Sequence, residues 1–372
     1  MFIEEVELRL INMKLVSPFE TSFGRETERK TIIVKMVSDG LKGYGECVAM
    51  DGPWYSYETI ETAWIILQKY MIPMILGKEI NQPSELIKLL GRVRGHNMAR
   101  AALEEAFWDL YAKFQGKPLS KLLGGVKDKI ESGVSIGIQK NVQQLLKAID
   151  NYLSEGYRRI KLKIKPSWDI EVLREVRKHY PDIPLMVDAN AAYTIEDARH
   201  LKKLDEFNLL MIEQPLSYDD LVDHAKLQSI LKTPICLDES IKTVSDARAA
   251  LKLRSCKIIN IKVGRVGGLL KAKEIHDLCQ ENNIPVWCGG MLETGIGRAI
   301  NVAIASLPNF KLPNDISASQ RYYHEDIIDP PFELNPDGTI TVPKKPGIGI
   351  EVIEERLNKR TIKKITLKHR NC

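Results

Sequence analysis

The stretch 185–240 decides the fold: within it LMVDAN (185–190), LLMIEQP (209–215) and PICLDES (234–240) are three short apolar runs that each carry a carboxylate near their end. Upstream lie SGVSIGI (132–138) and RIKLKI (159–164), and downstream IINIKV (258–263), VWCGGM (286–291) and the short NDIS (314–317). The runs start near residues 132, 159, 185, 209, 234, 258, 286 and 314. Intervals of about 24 to 28 residues suit one buried strand plus one amphipathic crossover helix each. Eight such units predict an α/β fold of the (β/α)8-barrel type, the eighth being short. A doubly wound open sheet is the rival, but no GxGxxG follows the first run and the spacing is even throughout.

Outside these units the pattern changes. VELRLINMKLV (6–16), RKTIIVKMV (29–37) and GYGECVAM (43–50) have strand character and are separated by turn residues. From residue 56 to 123 the apolar spacing is helical, ended by Gly124-Gly125. Residues 1–127 are therefore expected to form an α+β unit and 128–320 the barrel. Residues 321–372, with TITVP, GIGIEVI and the basic tail KRTIKKITLKHR, are expected to return to the N-terminal unit. The tail reads as a solvated face, because no aromatic or glycine-rich framework accompanies its lysines.

With 372 residues, 44% of them hydrophobic and 28% charged, the chain is large enough to bury a core without staples and is neither disordered nor coiled-coil. A net charge of +5, evenly spread, indicates neither nucleic acid nor a membrane as partner. The N-terminus MFIEEVELRL carries acids where a signal peptide needs a basic region, and no long uncharged apolar run occurs, so the protein is expected in the cytoplasm. Cys47, Cys236, Cys256, Cys279, Cys288 and Cys372 show no CxxC or zinc-like spacing and read as reduced and structural.

The catalytic groups of a barrel lie at the C-terminal ends of its strands. Strand two carries Lys161 and Lys163 on one face, strand three Asp188 and Asn190, strand four Glu213, strand five Asp238 and Glu239, and strand six Lys262. Asp188, Glu213 and Asp238 recur every 25 residues and so stand side by side on neighbouring strands. Three carboxylates converging in a low-dielectric interior repel one another unless protonated or bound to a cation. Oxygen-only ligation favours Mg2+, with Mn2+ or another hard divalent ion as the alternative, over zinc. Strands two and six face each other across a ring of eight, so a carboxylate substrate on the metal would have its α-carbon flanked by two ammonium groups. That arrangement suits removal of a proton α to a carboxylate, through an enediolate that the metal steadies while a lysine takes the proton. A lysine base must fall from about 10.4 to about 7–8. The metal, partial burial and, beside Lys262, Arg265 are expected to push that way. A structural ion-pair ladder explains any one such pair, but not three consecutive acids bracketed by two lysines.

The strings IKLKIKP, VDAN, MIEQP, CLDES and NIKVGRVGG resemble the enolase superfamily, in the muconate-lactonising subgroup with lysines on strands two and six. SPFETSFG, GECVAM, GVSIGIQ, WCGGMLETGIGRA and DISAS resemble the family that joins o-succinylbenzoate synthases and N-acylamino acid racemases. The resemblance implies an N-terminal capping domain over the barrel, a Mg2+ site at Asp188, Glu213 and Asp238, and Lys163 with Lys262 as acid/base pair. It also implies electrostatic help from Lys161, support of the metal from Asn190 and Glu239, tuning of Lys262 by Arg265, and a homo-oligomer.

Phe19, Phe23, Met50 and Tyr55 occupy positions from which the family's cap closes over the barrel, and would form a largely apolar lid. Gly289 and Gly290 would admit a substrate close to the backbone, while Ser135 would bond either the substrate or its own backbone. The implied substrate is a small carboxylate with a succinyl or other acyl group. The implied reaction is o-succinylbenzoate synthesis, on the route to menaquinone, N-succinylamino acid racemisation, or both. A cycloisomerase, a dipeptide epimerase and a non-catalytic metal- or anion-binding barrel are the alternatives. The strand-eight Asp315-Ile316-Ser317 lacks the second acid of the Asp-x-Asp that marks dipeptide epimerases, and strand seven lacks the histidine of mandelate racemases.

Overall fold

The computed structural model describes residues 1–369. Three antiparallel strands open the chain, β1 (Glu5–Glu20), β2 (Arg25–Ser38) and β3 (Leu41–Cys47). Alternation puts Val6 and Leu8 of β1 and Ile32, Val34 and Met36 of β2 on the face that packs against the helix Asn97–Phe114. That helix rides directly on β3, because Gly43 and Gly45 leave it room: a Cβ at either would stand 2.1 Å from the carbonyl oxygen of Ala106 or Ala102.

After β4 (Lys129–Glu131) come β5 (Gly133–Ile136), β6 (Arg159–Lys163), β7 (Leu185–Asp188), β8 (Ile212–Glu213), β9 (Ile235–Leu237), β10 (Ile258–Ile261) and β11 (Val286–Cys288). The last seven form one parallel sheet in sequential order. The crossover helices are amphipathic. In Val142–Ser154, Asn141 caps the start by accepting the Gln144 N–H, and Leu145 and Ile149 face the barrel.

The eighth position is filled by the segment 310–316, which bridges both edges of the sheet. The Gly133 N–H donates to Asn314 O at 2.7 Å and the Asp315 N–H donates to Cys288 O at 2.9 Å. It forms bridges rather than a ladder for a local reason. Pro313 has no N–H to give, and the Asn314 side chain rather than its backbone accepts the Cys288 N–H at 2.7 Å.

Four short strands end the chain, β12 (Ile328–Asp329), β13 (Thr339–Thr341), β14 (Glu351–Val352) and β15 (Thr361–Lys368). TITVP supplies β13, which pairs with β4 at the N-terminal end of the barrel, and GIGIEVI supplies β14, which pairs with β12. The basic tail forms β15 and extends the N-terminal sheet along β1. Cys47, Cys236, Cys256, Cys279 and Cys288 are buried free thiols, and Cys372 lies outside the described residues. Among the described residues no helix is long and apolar enough to cross a membrane.

Candidate active site

The inward-facing residues of the barrel are layered by the period of two. Met186, Met211, Cys236, Ile258 and Trp287 form an apolar cluster. Two residues further along their strands stand Asp188, Glu213, Asp238, Asn260 and Gly289, and Lys262 follows Asn260 on the same face. Ladder register sets Lys163 beside Asp188 and Asp188 beside Glu213. The charged layer therefore sits at the C-terminal mouth on a packed apolar floor.

Each ammonium group meets a different part of the acid row. Lys163 Nζ donates to Asp188 Oδ2 and to Asn190 Oδ1, both at 2.6 Å. Lys262 Nζ donates to Asp238 Oδ2 at 2.8 Å and to Tyr55 Oη at 3.1 Å. Lys161 Nζ lies 2.9 Å from Glu213, 3.3 Å from Asp188 and 2.5 Å from Asp315. Asn260 holds the other oxygen of Glu213 at 2.6 Å, Asn190 Nδ2 donates to Glu239 Oε1 at 3.0 Å, and Arg265 pairs with Asp238.

Burial acts to raise the Asp188 carboxyl, but Lys163 and Lys161 hold it below its ordinary value. Burial likewise opposes the ionisation of Asp238, and Lys262 and Arg265 overcome it, so that carboxyl is held low. Glu213 is pushed well up by burial and then by the charge of Asp188, and Glu239 is pushed up to about 7 by burial, Asp238 and Asp188. Burial acts to lower Lys262, yet Asp238, Tyr55 and Glu239 hold it well above its ordinary value. The lowering expected from the sequence includes the charge of a bound cation, which the carboxylates would face in place of the ammonium.

Among the described residues no group of three or more His, Cys, Asp or Glu is arranged to hold an ion, since the acids turn toward lysines. The donor set nevertheless fits a hard cation. Its side-chain donors are all oxygens, the acids raise one another's proton affinity, and Glu239 Oε2 is buried without a partner.

A family model described as the N-terminal domain of mandelate racemase / muconate lactonizing enzyme matches residues 4–124, and one described as enolase C-terminal domain-like matches residues 144–356. The chain belongs to the enolase superfamily. It is 58% identical over 360 residues to an o-succinylbenzoate synthase of Geobacillus stearothermophilus, covering 96% of each chain. It is 48% identical over 361 residues to an N-succinylamino acid racemase of Amycolatopsis sp, covering 97% of this chain and 98% of the relative. A crystal structure of an enolase-superfamily member from Listeria innocua matches with a TM-score of 0.95 and 43% identity over 99% of each chain. Within the enolase superfamily, the chain therefore falls in the family that joins o-succinylbenzoate synthases and N-acylamino acid racemases.

Several pocket residues of this superfamily member differ from their sequence reading. Tyr55 is not an apolar lid residue: its hydroxyl donates to Asp238 Oδ1 at 2.8 Å and its ring lies 4.5 Å from Lys262 Nζ. Gly289 makes room for the protein's own groups, a Cβ there standing 2.4 Å from Asn260 Oδ1 and 2.7 Å from Lys262 Cε. At Gly290 a Cβ would stand 2.7 Å from Asp315 O. Phe19, half-buried, meets Tyr322 edge-on with centroids 6.5 Å apart, while Phe23 and Met50 pack on the N-terminal core. Ser135 is buried beside Lys161 in the β5–β6 ladder, and its hydroxyl has no partner, which removes the backbone-bonded reading. Sequence reasoning passed over Asn260, although it shares a face with Lys262, and Asp315, weighed only for the acid it lacks as a neighbour.

Proposed function

We propose that the protein is a Mg2+-dependent enzyme that removes a proton α to a carboxylate, acting as an o-succinylbenzoate synthase and an N-succinylamino acid racemase. One observation carries the reading: Lys163 and Lys262 grip opposite ends of the acid row, Lys163 at Asp188 and Lys262 at Asp238. Asp188, Glu213 and Asp238 would hold the cation. A bound Mg2+ would supply positive charge to the substrate carboxylate as the α-proton leaves, and would take up the negative charge that now holds the proton on Lys262.

The chain's own groups do the rest. For 2-succinyl-6-hydroxy-2,4-cyclohexadiene-1-carboxylate, Lys163 Nζ takes the proton from the carbon bearing the carboxylate. The electron pair left behind closes the aromatic ring as the 6-hydroxyl departs, and a proton turns it into water, leaving o-succinylbenzoate, a precursor of menaquinone. For an N-succinyl amino acid, one lysine takes the α-proton from one face and the other returns a proton to the opposite face. Buried Ser135 offers an unpaired hydroxyl to the substrate, and Phe19 shields the mouth from water.

Proton NMR of the protein with Mg2+ and N-succinyl-L-phenylalanine in D2O, with an EDTA control, tests this. Metal-dependent loss of the α-proton signal with accumulation of the D-isomer is expected. No exchange on this substrate, together with no turnover of the cyclohexadiene carboxylate, would overturn the reading.

A further inference from the structure

Asp315 is the lone acid of the eighth barrel position, and its carboxylate stands between two cations, Oδ1 in an ion-pair contact that lacks hydrogen-bond geometry. Oδ1 lies 2.7 Å from Arg159 Nη1 and Oδ2 lies 2.5 Å from Lys161 Nζ, with the Asp315 side chain 7% exposed. Arg159 is anchored in turn. Its Nη2 donates to Pro313 O at 2.9 Å, its guanidinium lies 5.5 Å from the Trp287 ring, and Gly133 leaves it space, a Cβ there standing 2.2 Å from Arg159 Cζ. Lys161 Nζ sits over the same indole at 5.0 Å. A ladder of alternating charge thus climbs the barrel interior: Arg159, Asp315, Lys161, then Glu213 and Asp188.

Lys161 is therefore shared between two sides. Glu213 and Asp188 pull it toward the acid row, and Asp315 pulls it away at the shortest of the three distances. Lys161 already donates to Glu213 Oε2 at 2.9 Å; without Asp315 only Glu213 and Asp188 remain to pair a buried cation, so the ammonium would tighten on Glu213 and move onto Asp188. Those two are the residues that would hold Mg2+, so an ammonium closed on them competes with the metal for the same oxygens. We propose that Asp315 is a positioning residue: it shares the Lys161 ammonium with Glu213 and keeps it 3.3 Å from Asp188, which weakens its hold on the acid row and lets a cation compete for those oxygens. The inference rests on the metal reading proposed above.

The first measurement is Mg2+ affinity, by calorimetry, of the wild-type protein and D315N. Removing a group that orients metal-site residues costs about 10- to 100-fold in affinity, and D315N is expected to lose at least about 10-fold. D315N also leaves Arg159 without a carboxylate, so R159M/D315N separates the two consequences. Its thermal midpoint should recover toward wild type while its Mg2+ affinity stays low. Unchanged Mg2+ affinity in D315N, or recovery of affinity together with the midpoint in R159M/D315N, would show that Asp315 serves only the fold and overturn the inference. A wild-type protein that binds no Mg2+ would instead remove the metal reading, and this inference with it. Steady-state turnover supplies a further contrast: D315N should approach the wild-type kcat as Mg2+ is raised to saturation, and a kcat that stays low at saturating Mg2+ would count against a role in metal access.

Discussion

The carboxylate of Glu46, on a strand of the N-terminal unit, accepts the N–H of Gly297, in the first turn of a barrel helix, at 3.0 Å. It also accepts the Thr294 hydroxyl at 2.6 Å and the Thr294 N–H at 3.1 Å. A buried carboxylate thereby satisfies the start of the helix Gly295–Ala305 and complements its dipole. The loop before that helix carries Met291, whose sulfur lies 3.6 Å from Lys262 Nζ, so the contact joins the cap to the reacting end of the barrel. E46A removes this anchor and is expected to cost about 2–3 kcal/mol, the scale of losing hydrogen bonds to a charged group. Urea unfolding checks it, and a change below about 0.5 kcal/mol, the scatter of surface substitutions, would refute it.

The two lysines should separate by reaction. K262A is expected to abolish racemisation by about 10³-fold or more, the scale of a lost acid/base group, while K163A should abolish both racemisation and synthase turnover. Exchange of the α-proton from each enantiomer in D2O reads this directly. A K262A protein racemising at the wild-type rate would remove the two-base assignment.

G289A should impair chemistry before stability. Its Cβ would press Asn260 and Lys262 aside, at 2.4 Å from Asn260 Oδ1 and 2.7 Å from Lys262 Cε. Overpacking of this kind costs about 1–3 kcal/mol. A folded G289A with kcat lowered at least about 10-fold is expected, since small misplacement of a reacting group carries such losses. Wild-type kcat in the folded variant would show that Lys262 tolerates the shift.

A pH dependence of stability is expected from Glu104. Burial pushes its carboxyl up to about 7, against the N–H groups of Leu270 and Trp108 that favour its ionised form, and its Oε2 has no partner. In the unfolded chain the same group titrates near 4.5. Its contribution is therefore complete below pH 4.5 and is lost as the pH rises through 7, amounting to about 3 kcal/mol. E104Q keeps the acceptor and cannot ionise, so its unfolding free energy should fall less than that of wild type between pH 5 and pH 8. Parallel decline of the two proteins would assign the dependence to other groups.

Much of the site was legible because one period governs it. A strand-plus-helix repeat returns the chain to the same end of the barrel, so acids every 25 residues at 188, 213 and 238 had to become neighbours. Alternation likewise put Lys161 with Lys163 and Asp188 with Asn190 on the inner face. Tyr55 was misread because its ring suits a lid, and nothing local reveals that its hydroxyl reaches an acid 183 positions away. Asn260 and Asp315 were passed over because an amide and a lone acid carry no motif of their own.

The sequence by itself determined which side chains face the barrel mouth, since inward direction follows from strand period and repeat length alone. Only the tertiary structure decided which of them pair. Whether Lys161 leans to Asp315 or to Glu213, whether Gly289 admits a ligand or Lys262, and which backbone N–H groups Glu46 satisfies all depend on closure of the sheet and docking of the cap. Those events bring together residues far apart in the chain, so no local pattern announces the contacts they make.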